Sequence, residues 1–83
     1  MKMYLVINDW SNESACQVDM IDYKLFKDYE NAKKYYEEQK EKIISFDLDY
    51  NEVEEKEDYY CIFENGEYLY NHELVYIKEM EVN

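Results

Sequence analysis

Residues 29–45 hold the one run of helical spacing in this chain, and the segments on either side of it alternate. Ala32, Tyr36, Gln39 and Ile43 recur at intervals that share one helix face, with Tyr29 one turn earlier. Lys33, Lys34, Glu37, Glu38, Glu41 and Lys42 take the outer faces. Glu37 and Glu38 are spaced to pair forward with Lys40 and Lys42. Asp28 is placed to cap the N-terminus, and Glu30 sits where the helix dipole favours an acid. A single amphipathic helix has only strands to pack against, so the fold class is α+β, with the helix on one face of a small antiparallel sheet.

The strands follow from period-two patterning. In residues 1–8, Met1, Met3, Leu5 and Ile7 alternate with Tyr4 and Val6, so both faces are partly apolar and the strand is expected inside the sheet. Residues 8–14 read as a turn-rich connection, in which Trp10 is either a lid on the core or an exposed contact. Residues 15–26 form a second strand. Its alternation passes from Cys16, Val18 and Met20 to Ile21, Tyr23 and Leu25, which predicts a bulge at Met20-Ile21. Residues 59–64 alternate again, and Asn65-Gly66 predicts a type I′ hairpin returning through residues 67–71. Residues 74–82 continue extended, with a kink at 71–73. The expected order is β-β-α-β-β, with four to five strands and many of the tyrosines on the face away from the helix. The 83 residues are expected to form a single domain, residues 1–83.

Charge is uneven. The chain has 21 acidic residues and 9 lysines, no arginine, and a net charge of −12. Residues 1–46 account for −2 and residues 47–83 for −10. Such acidity excludes unaided gripping of nucleic acid phosphates. No apolar run of about 18 residues exists to span a membrane. No charged-then-apolar leader opens the chain, so a cytoplasmic location is expected, with Cys16 and Cys61 reduced. Lys, Asn, Ile, Tyr, Phe and Met far outnumber Gly, Ala, Pro and Arg, which points to an AT-rich coding source such as a low-GC bacterium or its phage.

Catalytic motifs are sparse. His72 is the only histidine, no spacing pairs it with a cysteine, and it reads as a turn residue at a strand end. One glycine, assigned to a hairpin, cannot build a phosphate loop. The chain is therefore read as a non-enzyme without cofactor or metal. Asp47, Asp49, Asn51, Glu55 and Asp58 fall at positions 1, 3, 5, 9 and 12 of a calcium-loop spacing. Glu52 stands where that loop needs Gly, Asp58 is shorter than the usual Glu, and a strand follows. A divalent-cation module is thus an alternative reading.

The leading one rests on residues 47–58, an acidic connection with seven acids and one lysine, and on tyrosines interleaved with acids in 58–60, 67–70 and 76–79. Tyrosine supplies rigid contact area with a polar tip. Carboxylates around it suit a basic surface and can imitate the phosphate row of a duplex, about one charge per 1.7 Å of axis. The candidate partner-binding residues are Asp47, Asp49, Glu52, Glu54, Glu55, Glu57, Asp58, Glu64 and Glu67, with Tyr50 and Tyr68 as anchors. In its opening strand MKMYLVIND, its helix YENAKKYYEEQKEKI, its acidic bridge and its Tyr-rich terminal hairpin, the chain resembles small acidic proteins of phages and mobile elements of low-GC bacteria. Anti-CRISPR inhibitors, some of them DNA mimics, belong to that group. The resemblance implies an inhibitor in the bacterial host cytoplasm whose partner is a basic nucleic-acid-handling protein such as a CRISPR effector. A homodimer through a tyrosine-rich sheet face, with acidity serving solubility only, is the remaining alternative.

Overall fold

The computed structural model describes residues 1–12, 17–45, 52–65 and 70–82. Two strands, β1 (Lys2–Asn12) and β2 (Gln17–Phe26), precede the helix α1 (Tyr29–Ser45), and β3 (Glu52–Lys56), β4 (Tyr59–Asn65) and β5 (Tyr70–Glu81) follow it. The strands form one antiparallel sheet in the order β2-β1-β5-β4-β3. The fold is α+β, and β1 lies inside the sheet as its two apolar faces require.

The first and last strands are paired along their length, from Lys2 opposite Glu81 to Ser11 opposite His72. The amide of Val82 extends this ladder by donating to the Met1 carbonyl at 2.8 Å. The helix connects the two edge strands by crossing one sheet face. Asp28 occupies the N-cap position, its carbonyl accepting the Ala32 amide at 3.1 Å and its carboxylate the Asn31 side-chain amide at 3.2 Å. Ala32, Tyr36 and Ile43 are buried as their spacing predicts, against Val6, Ile62 and Val75. Tyr4, Phe26, Tyr35, Tyr60 and Ile77 pack around this core. Among the described residues, no helix lies over the other sheet face. Among the described sheet tyrosines, alternation and register place Tyr23, Tyr59 and Tyr76 there and Tyr4 and Tyr60 under the helix, so the tyrosines are divided between the faces.

Five expectations are corrected. Residues 8–12 are strand, not connection, because β2 and β5 flank them and satisfy their backbone groups. The irregularity in β2 lies between Gln17 and Met20, where Trp10 opposes Met20 and Asn12 opposes Gln17. Met20 and Ile21 pair regularly with Trp10 and Asp9. The apolar slip there arises because this edge strand has apolar residues on both faces. The β4–β5 register sets Asn65 opposite Tyr70 and Glu64 opposite Asn71, whereas a two-residue Asn65-Gly66 turn would set Glu64 opposite Glu67. Residues 71–73 are continuous strand without a kink, held by β1 and β4 on either side.

The last correction concerns the acidic connection, whose second part is β3. Three glutamates in five residues oppose strand propensity. The edge position resolves the conflict, since all five residues are exposed and no carboxylate has to be buried.

Candidate functional site

A two-residue turn, Glu57-Asp58, joins β3 to β4 between the paired Lys56 and Tyr59. Asp58 adopts φ 58°, a left-handed conformation that Asp tolerates better than most residues. Its carboxylate and its carbonyl are both engaged. The carboxylate accepts from Lys33 Nζ at 2.7 Å and from the Tyr29 hydroxyl at 2.6 Å, and its carbonyl accepts the Ile77 amide at 2.9 Å. Burial alone would raise the Asp58 pKa. The hydrogen bonds from Lys33 and Tyr29 outweigh it and hold the carboxyl below its ordinary value. The bond to Asp58 likewise raises the pKa values of Lys33 and Tyr29.

Two turns of helix further along, Lys40 Nζ meets Glu55 Oε2 at 2.8 Å and lies 5.4 Å from the Tyr60 ring centre. Glu37 is left to Lys33, at 3.5 Å. The forward pairing of Glu37 with Lys40 expected from spacing is therefore replaced, because the edge strand offers Lys40 a nearer carboxylate. Two helix lysines thus fasten the acidic hairpin to α1.

The remaining β3 acids face solvent. Glu52 and Glu54 alternate with Val53 and Glu55, so they project from the face without the helix. Glu54 Oε1 meets Lys56 Nζ at 3.0 Å, both exposed, and that lysine lies 5.5 Å from the Tyr59 ring centre. Glu52 and Glu57 are exposed and have no ion pair among the described residues. Glu64 lies on β4 one residue beyond the Glu52–Phe63 pair, and its Oε2 accepts from the buried Asn71 amide at 3.0 Å. The structure therefore brings Glu52, Glu54, Glu55, Glu57 and Glu64 to one edge. The Asp58 carboxylate is held by Lys33 and Tyr29 of the helix. Asp47, Asp49, Tyr50, Glu67 and Tyr68 lie outside the described residues, as does Asn51. Of the calcium-loop positions that are described, Glu55 is bound by Lys40 and Asp58 by Lys33, and the backbone between them is a strand and its turn.

Trp10 is neither a loop residue nor a bare surface contact. It is half-buried in β1 and helps line a pocket of about 310 Å³ under the C-terminal half of α1, with Asn8, Asp22, Gln39, Lys42, Ile43 and Glu73. The Asn8 amide donates to Gln39 Oε1 at 3.4 Å across this pocket. Burial raises the Glu73 pKa, which the neighbouring His72 partly opposes. The sequence signalled Trp10 alone of this group. Asp22 and Glu73 come together only because β2 and β5 both flank β1, a pairing no local pattern reveals.

His72 lies within β5, not in a turn, and its Nε2 is 2.9 Å from Asp9 Oδ1. Cys61 is buried, its thiol directed to the Ile62 carbonyl at 3.8 Å. Burial, followed by the charge of Glu54, raises the thiol pKa and keeps it from the nucleophilic thiolate form. Cys16 lies outside the described residues. No helix among the described residues is long and apolar enough to cross a membrane.

The site is thus an acidic sheet edge, made rigid by two lysines of the covering helix, on an α+β domain. No family model, curated protein or solved structure matches the chain.

Proposed function

We propose that this protein is a non-enzymatic inhibitor that occupies the basic nucleic-acid channel of a nucleic-acid-handling protein, and that a bacterial CRISPR effector is its target class. The single observation behind this reading is β3, a strand of exposed glutamates fixed to the helix through Lys33 and Lys40. A strand rises about 3.3 Å per residue. Side chains on one face recur every second residue, so Glu52 and Glu54 stand about 6.6 Å apart on the solvent face, close to two of the roughly 3.4 Å axial steps between phosphates on one DNA strand. An acidic strand held in this way therefore presents charge at about every second phosphate step, with less ordering entropy left to lose on binding than a loop. Opposite fields also speed encounter with a basic groove.

The test is a triple reversal, Glu52→Lys, Glu54→Lys and Glu57→Lys, which spares the carboxylates bound by the helix lysines. The parent chain, immobilised, is expected to retain a basic nucleic-acid-binding protein from a nuclease-treated low-GC bacterial lysate. Duplex DNA should displace that protein, and so should salt near 1 M, where the screening length is about 3 Å. The triple variant should retain none. Equal retention by both chains, or indifference to DNA, overturns the assignment.

A further inference from the structure

The two edges of the sheet differ in chemistry. β3 closes one edge with glutamates, which discourage strand addition. β2 leaves the other edge apolar, with Ile21 exposed at 64%, Tyr23 at 68% and Leu25 at 48%. We infer that β2 pairs antiparallel with the β2 of a second copy about a two-fold axis at Tyr23, joining two sheets into one.

The direction of the backbone groups follows from the ladder. The Val82 amide bonds Met1, and the Ile77 amide turns to Asp58 beyond the opposite side of β5. Odd-numbered residues of β1 therefore bond β5, and Val6 and Asn8 bond their β2 partners Lys24 and Asp22. Alternation then turns the N–H and C=O groups of Ile21, Tyr23 and Leu25 outward. The Tyr23 amide confirms this direction by donating to the carboxylate of its neighbour Asp22 at 2.9 Å. It has a local acceptor in the single chain, which a partner carbonyl would replace.

Register is chosen by charge. An axis at Tyr23 sets Asp22 opposite Lys24 of the second copy twice, Ile21 opposite Leu25 twice, and Tyr23 opposite itself. The outward residues would exchange roughly six backbone hydrogen bonds. The Asp22–Lys24 pairs fall at non-hydrogen-bonded positions, where the side chains come closest. An axis at Asp22 or at Lys24 would set like charges face to face instead. The helix contacts β1, β5 and β2, and in the single chain Lys24 Nζ lies 5.0 Å from the Tyr35 ring centre of the helix, a contact that pairing with Asp22 of the second copy would replace. The net charge of −12 opposes association at long range, so salt should strengthen the dimer. That sign is opposite to the one expected for a basic partner, so this contact and the acidic edge can fail separately.

Sedimentation equilibrium over about 10–500 μM, a range suited to a contact below standard interface size, at low and at high salt, is the first measurement. A concentration-dependent dimer that tightens with salt is expected. Lys24→Asp should weaken it about tenfold or more, since both cross-pairs become repulsive. The double variant Asp22→Lys with Lys24→Asp should restore it. In a mixed isotope-labelled sample, Asp22 Hα and Lys24 Hα of different copies should show a direct nuclear Overhauser contact. A monomer throughout, or a dimer indifferent to Lys24→Asp, or one that the double swap fails to rescue, overturns the inference.

Discussion

Asp58 joins the turn of the acidic hairpin to the helix and to β5, and three substitutions there separate its roles. Asp58→Asn keeps a side chain that tolerates φ 58° but removes the charge that Lys33 binds. Asp58→Gly removes both hydrogen bonds and relieves the backbone. Asp58→Ala removes both hydrogen bonds and keeps the backbone penalty. The carboxylate is 20% exposed and Lys33 is 35% exposed, so the charge-assisted bond is screened and contributes about 1–2 kcal/mol. The Tyr29 bond adds about 1 kcal/mol. A left-handed alanine costs roughly 1–2 kcal/mol, which glycine avoids at a smaller entropic cost. Urea midpoints should therefore fall in the order wild type, Asn, Gly, Ala, with the unfolding free energy of Ala down by about 3–5 kcal/mol. A domain of 83 residues is stable by only about 4–12 kcal/mol, so Ala approaches unfolding. The pH dependence has a defined sign. The Asp58 pKa is lowered on folding, so its stabilisation is present above the unfolded carboxyl range near 4 and is lost as pH falls through the folded value. The gap between wild type and Asn should close in acid. Equal midpoints for Gly and Ala would refute the backbone argument, and an Asn gap unchanged at low pH would refute the charge argument.

The pocket acid behaves in the opposite sense. Burial raises the Glu73 pKa, so its ionised form weakens the fold at neutral pH, and Glu73→Gln should raise the unfolding free energy from urea titration by up to about 1 kcal/mol. That gain should vanish once pH falls below the unfolded carboxyl range, where Glu73 is protonated in both states. Val75→Ala, at a fully buried position on the central strand, should cost about 2–3 kcal/mol by chemical denaturation. Glu52→Lys, Glu54→Lys and Glu57→Lys together should leave the thermal midpoint within a few degrees, as measured by circular dichroism, because all three positions are exposed.

Local patterning revealed what local physics decides. The helix could be read from Tyr29 to Ser45 because its core residues repeat with the helical period and Asp28 caps it. Val6 and Val75 could be read as strand residues because their neighbours alternate. What escaped was set by pairing partners distant in sequence. β1 runs on to Asn12 because β5 and β2 satisfy its backbone, although its last residues have the composition of a turn. β3 escaped because its composition argues for a solvated loop, and only an edge position makes a strand of glutamates tolerable. Among the site residues, exposure of Glu52, Glu54 and Glu57 was legible from charge. The structural role of Asp58 was not, since Lys33 and Tyr29 lie more than twenty residues away.

The distribution of charge along the chain acquires a physical meaning once these contacts are known. The half with most of the lysines supplies the helix, and the half with net charge −10 supplies three of the strands. A neutral helix would dock on this sheet through Ala32, Tyr35, Tyr36 and Ile43 and the Gln39 bond to Asn8. Lys33 and Lys40 add directed contacts at the far edge, each aromatic-backed, Lys33 at 4.7 Å from the Tyr36 ring centre and Lys40 beside Tyr60. These contacts fix the position of an edge strand whose own propensity is poor. They also sort its carboxylates. Asp58 and Glu55 are committed to the helix, while Glu52 and Glu57 keep their charge for solvent or a partner. The paired carboxylates at this edge thus hold the strand, and the surplus stays exposed, the charge that the proposed basic surface would meet.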